Sequence, residues 1–507
     1  MTQQASLAAL QERVAAVNDV LNAVSVLTWD SRTMMPAGGA ETRGLQIATL
    51  TRIARDLLLA PQTEKALEEA ERATEGFGED AAERRMVQQT RHAVEHHKRV
   101  PASLIQERAA LRTVAQAAWI EARSKSDFTL FSPHLARTVA LSRAYADCIG
   151  WDGHPYDAMV SIYEPGETAA SLKELFTALR AGLLPILDAA RARPQPRSDF
   201  LFREFPEEEQ RAFGLSLAER LGYDLGRGRL DTTVHPFEVS FTRNDVRITT
   251  RYNRNYLPAS IFGTAHETGH GLYEQGVDPA HTRTALATDL VGLYAVGGTS
   301  FGAHESQSRL WENHIVRSRT FWHRHFSELR QHFPDQLGDV GADEFYRAVT
   351  RVEPGFIRVE ADELTYDFHI MLRADIECAL MDGSLPVGDL PEAWNAAIRR
   401  DLDLVVPDDA RGVLQDVHWS TGYIGSFPTY TIGNVMGAQV MDTLCSRNPS
   451  LGDAIEAGHY AVLADELRTR IWQHGRRFTR DELLERETGR PLDPGPYLRY
   501  LRGKYAA

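Results

Sequence analysis

The segment Ala265-His266-Glu267-Thr268-Gly269-His270-Gly271 places two histidines four residues apart, with a glutamate beside the first. On an α-helix such positions lie one above the other, so both imidazoles can hold one divalent ion. Glu267 then points toward a water on that ion rather than the ion itself. This HExxH pattern predicts zinc-type hydrolysis. A catalytic zinc needs a third protein ligand and an open position. A third histidine on the same helix, as in HExxHxxGxxH, would need Gly at 273 and His at 276. Tyr273 and Gly276 stand there instead, which excludes that arrangement. The third ligand must come from a later helix. Glu305, in His304-Glu305-Ser306, is the candidate, because Gly297-Gly298 before it can turn the chain back. Glu274 is the rival, but it lies a further turn along and closes a tetrahedron less readily.

Charge dictates the chemistry such a site would do. An ion on two neutral imidazoles and one carboxylate brings the pKa of water toward neutral. Glu267 can take the proton as water attacks a scissile carbonyl, then deliver it to the leaving amine. The developing oxyanion needs a second donor. Residues 415–433, with His418 and Tyr430, are dense in such donors; the alternative for them is a packed aromatic loop. Arg358, in Ile357-Arg358-Val359-Glu360-Ala361-Asp362, could grip a peptide's terminal carboxylate through a bidentate fork. An ion pair with Glu360 or Asp362 explains it equally well. His92 and His96 also have i, i+4 spacing, but no glutamate base adjoins them, and Glu95, Lys98 and Arg99 surround them. They read as a solvated helix face.

These residues need a scaffold, and the surrounding chain reads as helical. Leu7, Leu10, Val14, Val17, Leu21 and Val24 repeat at helical spacing, and a second helix carries Leu45, Ile47, Leu50, Ile53 and Leu57 up to Pro61. Trp29 and Met34-Met35 between them read as core packing. The exception is 234–250. There Val234, Phe237, Val239 and Phe241, then Asn244-Asp245, then Val246, Ile248 and Thr250 predict a β-hairpin directly before the metal motif. Arg193-Pro194-Gln195-Pro196-Arg197 is a stiff proline segment and the best linker candidate. The HExxH helix is expected to be short, opening near Thr264 and ending at Gly276.

Composition bounds the rest. With 507 residues, 56 Lys+Arg against 70 Asp+Glu, and a net charge of −14, the chain is ordinary for a globular protein. The acid excess argues against nucleic acid or anionic membranes as partners. No run is apolar enough to span a bilayer. The N-terminus lacks a basic region and an uninterrupted apolar stretch, so it does not read as a secretion signal. Cys148, Cys378 and Cys445 are odd in number and far apart. A disulfide framework is therefore not expected, and a cytoplasmic location is.

Taken together, ordered motifs along nearly the whole chain resemble the thermostable carboxypeptidase Taq family of metallocarboxypeptidases. They include Trp29-Asp30 with Met34-Met35-Pro36, Tyr163-Glu164-Pro165-Gly166, His235-Pro236-Phe237 and Asp245-Val246-Arg247-Ile248-Thr249. HExxH at 266–270, His304-Glu305-Ser306, 357–362 (IRxxAD), 412–419 (GxxQDxHW) and Tyr497-Leu498-Arg499-Tyr500-Leu501 complete the series. The resemblance implies a mainly α, two-lobed fold around a deep cleft, like neurolysin and angiotensin-converting enzyme, with a small β-sheet beside the metal. Residues 1–507 would be one catalytic domain, its metal-binding core at about 230–440. It implies release of single residues from peptide C-termini with broad specificity, one zinc or cobalt ion on His266, His270 and Glu305, Glu267 as general base, and a homodimer. It also brings Arg358, His418 and Tyr430 to the substrate end of the site, Tyr430 as a catalytic residue and Arg358 and His418 as substrate-binding ones, and leaves open which of them holds the carboxylate and which the oxyanion. Two departures stand out. Extra residues at about 280–296 form a loop expected to reshape the cleft mouth. Ser426 stands where many members have tyrosine, so that tyrosine's role does not transfer.

Overall fold

In the computed structural model the protein is built mostly of α-helices, and the structure describes residues 2–295 and 297–506. The helices run in chain order as α1 (Gln3–Thr33), α2 (Ala40–Leu58), α3 (Pro61–Thr74), α4 (Ala82–Arg99), α5 (Ala102–Lys125), α6 (Ser132–Ile149), α7 (Pro155–Val160), α8 (Ala169–Arg191) and α9 (Glu207–Leu221). Three strands follow: β1 (Gly228–Thr232), β2 (Glu238–Thr242) and β3 (Asp245–Thr250). Next come α10 (Pro258–Gly276), α11 (Phe301–Arg309), α12 (Arg319–His332), α13 (Pro334–Leu337), α14 (Ala342–Val349), α15 (Tyr366–Asp382), α16 (Leu390–Leu402) and α17 (Pro428–Arg447). The last four are α18 (Pro449–Glu456), α19 (Tyr460–Arg470), α20 (Arg480–Thr488) and α21 (Gly495–Tyr505).

The chain divides into two compact units. The first holds the N-terminal helices as far as His97, then Pro196–Val349 and Met436–Leu492; the second holds Lys98–Gln195, Thr350–Val435 and the stretch from Asp493 onward. One boundary falls inside the proline segment read as a linker.

In the first unit, α1 starts where Thr2 accepts a hydrogen bond from the Ala5 amide. Leu10, Val14, Val17 and Leu21 are buried along one face, as their spacing requires. They share a core with Leu67, Val87 and Val94 of α3 and α4 and with Ala285, Leu286, Leu290 and Ala295. Residues 285–295 are thus anchored to the N-terminal helices. Asn18 donates to the Ala295 carbonyl (2.8 Å), and His97 Nε2 meets the Leu290 carbonyl at 2.8 Å. Trp29 is buried under Arg247, but Met34 is exposed and packs no core.

The hairpin expected at 234–250 is present as antiparallel β2 and β3. A third strand, β1, pairs parallel to β3, giving the order β1-β3-β2. Its short sequence, GRLDT, shows no clean alternation, which hid it. Val246 and Ile248 of β3 turn into a second core with Phe213 and Leu217 of α9 and Ile261, Phe262 and Leu272 of α10. The sheet is therefore the floor on which α10 rests.

In the second unit, Leu135 and Val139 of α6, Phe176, Leu179 and Leu183 of α8, Phe368 and Ile370 of α15, and Trp394 of α16 are buried. Leu498 of α21 lies so close to Gly182 of α8 that a Cβ there would meet it at 2.5 Å. Among the described residues no helix is long and apolar enough to cross a membrane. Cys148, Cys378 and Cys445 are free thiols.

Candidate metal centre

The HExxH helix is longer than its sequence suggests. α10 opens at Pro258, whose missing N–H costs nothing at a first turn, and runs two further turns before reaching His266. Most of its residues are buried, so it is a central helix rather than a short surface one. Gly269, between the two histidines, is what lets another backbone approach. A Cβ there would lie 2.5 Å from Ser308 Cα and 2.6 Å from the Gln307 carbonyl oxygen, both on α11. α11 in turn begins where Ser300 accepts from the Ala303 amide, and it carries Glu305.

This contact brings the three predicted ligands together. His266, His270 and Glu305 each offer one donor atom, all within 4.8 Å of one another. His266 Nε2 is 3.5 Å and His270 Nε2 3.2 Å from the same oxygen, Glu305 Oε2. The imidazoles stand nearly perpendicular, at 80°. Two ring nitrogens converging on one carboxylate oxygen form the N₂O donor set of a catalytic divalent site. Glu267 is buried beside them, and its Oε2 has no hydrogen-bond partner.

A ring of charged residues, which the sequence reading missed, holds the trio. After α11 the backbone widens into a π-helical stretch, Leu310–Val316. π-Turns of this kind recur at functional sites. Here it delivers Glu312, whose Oε2 is 3.0 Å from His266 Nδ1. That contact fixes the ring so that Nε2 faces the site. Arg317 and Arg309 also donate to Glu312, at 3.0 and 3.3 Å, and Arg309 Nε donates to Glu305 Oε1 at 2.8 Å. Ser308 Oγ donates to Glu305 Oε2 at 3.0 Å.

Glu274, the rival ligand, is not part of the trio. Its Oε1 lies 2.8 Å from His304 Nε2. The His304 ring stacks on that of His270, with centroids 4.6 Å apart and planes at 17°. Glu274 thus acts on the site only through His304. The i+8 spacing from His266 and the histidine of the HES motif were the available signals.

Burial and neighbours set the charges. Burial pushes Glu305 upward, but His266 and Arg309 outweigh it and hold it well below the usual carboxylate range. Burial lowers His270 to about 3, and the neighbouring His304 adds to this, so its imidazole is neutral and able to ligate. Burial raises Glu267 to about 7; His266 opposes the rise and Glu305 reinforces it. A carboxyl near neutrality is suited to exchanging a proton in both directions.

The other predicted residues lie in the second unit, where Arg358, His418 and Tyr430 cluster. Arg358 is buried, but its partner is neither Glu360 nor Asp362. Its Nε and Nη2 donate to Asp416 Oδ1 at 3.0 and 2.8 Å, and its Nη1 donates to the Tyr366 hydroxyl at 2.9 Å. Asp362 instead accepts from the Leu364 and Thr365 amides in the turn that leads into α15. Asp416 also pairs with the fully buried Arg373. His418 Nε2 is 3.4 Å from the Tyr430 hydroxyl, and its ring lies 4.4 Å from that of Phe427. Arg358 stands 5.2 Å over the Tyr430 ring. Burial and the nearby Arg358 lower His418 to about 4. Residues 415–433 therefore combine both readings, with Trp419 and Phe427 packed inside and the polar groups gathered around Asp416.

His92 is exposed as expected, but His96 is buried and rests edge-on against His97. The local charges masked an inward-facing position on α4.

A helical fold whose central helix presents HExxH to a glutamate from the next helix defines a metal-dependent peptide hydrolase. The profile of the carboxypeptidase Taq (M32) metallopeptidase family matches residues 9–505. Thermostable carboxypeptidase 1 of Thermus thermophilus is 41% identical over 95% of each chain. Carboxypeptidase 1 of Bacillus subtilis is 35% identical over 96% of this chain and 95% of its own. Among solved structures, an M32 carboxypeptidase from Deinococcus radiodurans R1 superposes with a TM-score of 0.94 at 41% identity, covering 99% of both chains. The chain belongs to the carboxypeptidase Taq (M32) family of metallocarboxypeptidases. Membership makes it a peptide hydrolase and implies a divalent metal.

Proposed function

We propose that this enzyme releases single amino acids from peptide C-termini with broad specificity, that His266, His270 and Glu305 hold the metal, and that Glu267 is the general base. The carrying observation is the buried Glu267 Oε2, which has no hydrogen-bond partner beside three converging ligand atoms. An unsatisfied buried carboxylate oxygen is costly unless something else engages it, and an attacking water is the natural candidate. A divalent ion at the trio supplies Lewis-acid polarisation and a more acidic water; zinc suits the N₂O set best, with cobalt able to replace it.

The residues divide the remaining work. Glu267 Oε2 takes the proton of the attacking water and hands it to the leaving amine. Glu312 and His304 keep the two imidazoles in place. Tyr430 donates a hydrogen bond from its hydroxyl to the developing oxyanion, and His418 orients that hydroxyl. Arg358 binds the terminal carboxylate: Asp416 and Tyr366 fix its guanidinium, while a fork of five N–H groups has donors left for a second partner. The homodimer and the cytoplasmic location rest on the family resemblance and on the free thiols.

The test is mass spectrometry of an N-blocked peptide, with Glu267→Gln beside wild type and metal content measured on both. A ladder shortening from the C-terminus, retained metal and a turnover loss of at least about a thousandfold in Glu267→Gln are expected. Internal cuts would refute the exopeptidase reading, and near-normal turnover of the variant would refute the general base.

A further inference from the structure

Within the second unit, α5, α6 and the turn at 419–421 enclose a cavity of about 200 Å³. Its wall includes Arg108, Arg112, Thr138, Ser142, Ser420 and Thr421, and no aspartate or glutamate. In a chain of net charge −14 this is out of character. Many arginines elsewhere are paired, as where Arg91 holds Glu64 and Glu71 and Arg85 holds Asp80 and Glu482. Arg108 is different. It lies 4.4 Å over the Tyr145 ring, its Nη1 is buried without a hydrogen-bond partner, and no carboxylate pairs with it among the described residues. Burial, uncompensated by any nearby acid, holds it below the usual guanidinium value. Arg112, one helical turn later, lies 6.0 Å over the Tyr423 ring and forms no ion pair among the described residues.

Two like charges at i, i+4 repel, and a half-buried guanidinium without a counter-charge is costly. An anion in the cavity removes both penalties. The hydroxyls of Thr138, Ser420 and Thr421 already donate to the carbonyls of His134, Val417 and His418, so the two guanidinium forks are the main available donors. We propose that this cavity binds one small tetrahedral oxyanion of the phosphate class, held between Arg108 and Arg112. Two cations on one wall match a doubly charged anion, and forks approaching from successive turns suit separate edges of a tetrahedron better than one planar carboxylate. An occupant would tie α5 to the turn that directly follows His418.

The experiment is calorimetric titration of the metal-loaded enzyme with inorganic phosphate, repeated with acetate, in a buffer free of both. Wild type is compared with Arg112→Gln, Arg112→Lys and Arg108→Gln/Arg112→Gln. Losing one charge-assisted contact corresponds to a drop of roughly ten- to a hundredfold in affinity. One phosphate per chain, about tenfold weaker in Arg112→Gln, partly restored in Arg112→Lys and undetectable in the double variant, is expected, with acetate binding far more weakly. Arg112 is exposed, so its single variants keep the test valid even where the double variant unfolds. Absence of phosphate binding to wild type at millimolar concentration overturns the proposal. So does undiminished binding in Arg112→Gln, which would put the anion elsewhere, or acetate binding as tightly as phosphate.

Discussion

Gly269→Ala tests whether the close approach of α10 and α11 builds the metal centre. The added methyl would sit 2.5 Å from Ser308 Cα, 2.6 Å from the Gln307 carbonyl oxygen and 2.8 Å from the Ser308 amide nitrogen. All three are backbone atoms, so no side chain can rotate away. Relief to ordinary contact requires α11 to retreat by about 1 Å, and Glu305 moves with it. Overpacking of this kind costs about 1–3 kcal/mol, against roughly 1 kcal/mol gained from helix propensity. Displacing one of three ligands by that distance should weaken metal binding at least about tenfold, and turnover by about a hundredfold. Two neighbours on the same helix serve as controls. At Gly271 a methyl meets side chains, Tyr223 Cε2 at 2.8 Å and Ile248 Cγ2 at 3.2 Å, so Gly271→Ala should lower stability yet leave metal affinity nearly intact. At Gly263 the nearest atom is Thr250 Oγ1 at 3.8 Å, so Gly263→Ala should be neutral or stabilising by up to about 1 kcal/mol. The assay is thermal unfolding alongside competitive titration with a chromophoric chelator. Wild-type metal affinity in Gly269→Ala would refute the reasoning.

Further predictions concern the supporting residues. His304→Ala removes the ring stacked on His270 and strands Glu274, so metal affinity should fall about tenfold in chelator competition while turnover at saturating metal largely survives. Arg358→Ala leaves the half-buried Asp416 with Arg373 as its remaining arginine; a stability loss of about 3 kcal/mol by urea unfolding is expected, and an unchanged midpoint would show the pair to be energetically idle. Glu377 accepts from Tyr156 (2.8 Å), Trp419 (2.8 Å) and the Gly425 amide (3.0 Å), yet burial outweighs these bonds and raises it to about 7. The folded state therefore holds this proton between about pH 4.5 and 7, where the unfolded chain has released it. Its contribution is fully present below pH 4.5, is lost as pH rises to about 7, and amounts to about 3 kcal/mol at most. Glu377→Gln should flatten the dependence of the unfolding midpoint on pH in that window, and an unaltered slope would reject the assignment.

Much of this protein could be read from residue order alone, because the informative features are local. HExxH sets two imidazoles on one helix face wherever that helix lies. The buried face of α1 follows from 3.6 residues per turn, and the β2–β3 hairpin from alternation around Asn244-Asp245. What escaped depends on contacts distant in sequence. β1 is a strand only because β3 supplies its hydrogen bonds. His96 faces inward because α4 packs on that side, and its charged neighbours gave the opposite impression. Arg358 had acids two and four residues away, but its geometry reaches Asp416, 58 positions on.

The same division runs through the metal centre. Sequence by itself determined the candidate ligand types, the glutamate beside them and the family to which the chain belongs, since each rests on residue identity and motif order along the chain. Only the tertiary structure decided that Glu305 rather than Glu274 joins the two histidines, because that choice turns on α11 crossing α10 at Gly269. It alone showed Glu312, Arg309 and His304 holding the trio, and Arg108 facing a cavity without a counter-charge. Electrostatic partners are chosen by distance through space, and no local pattern encodes that distance.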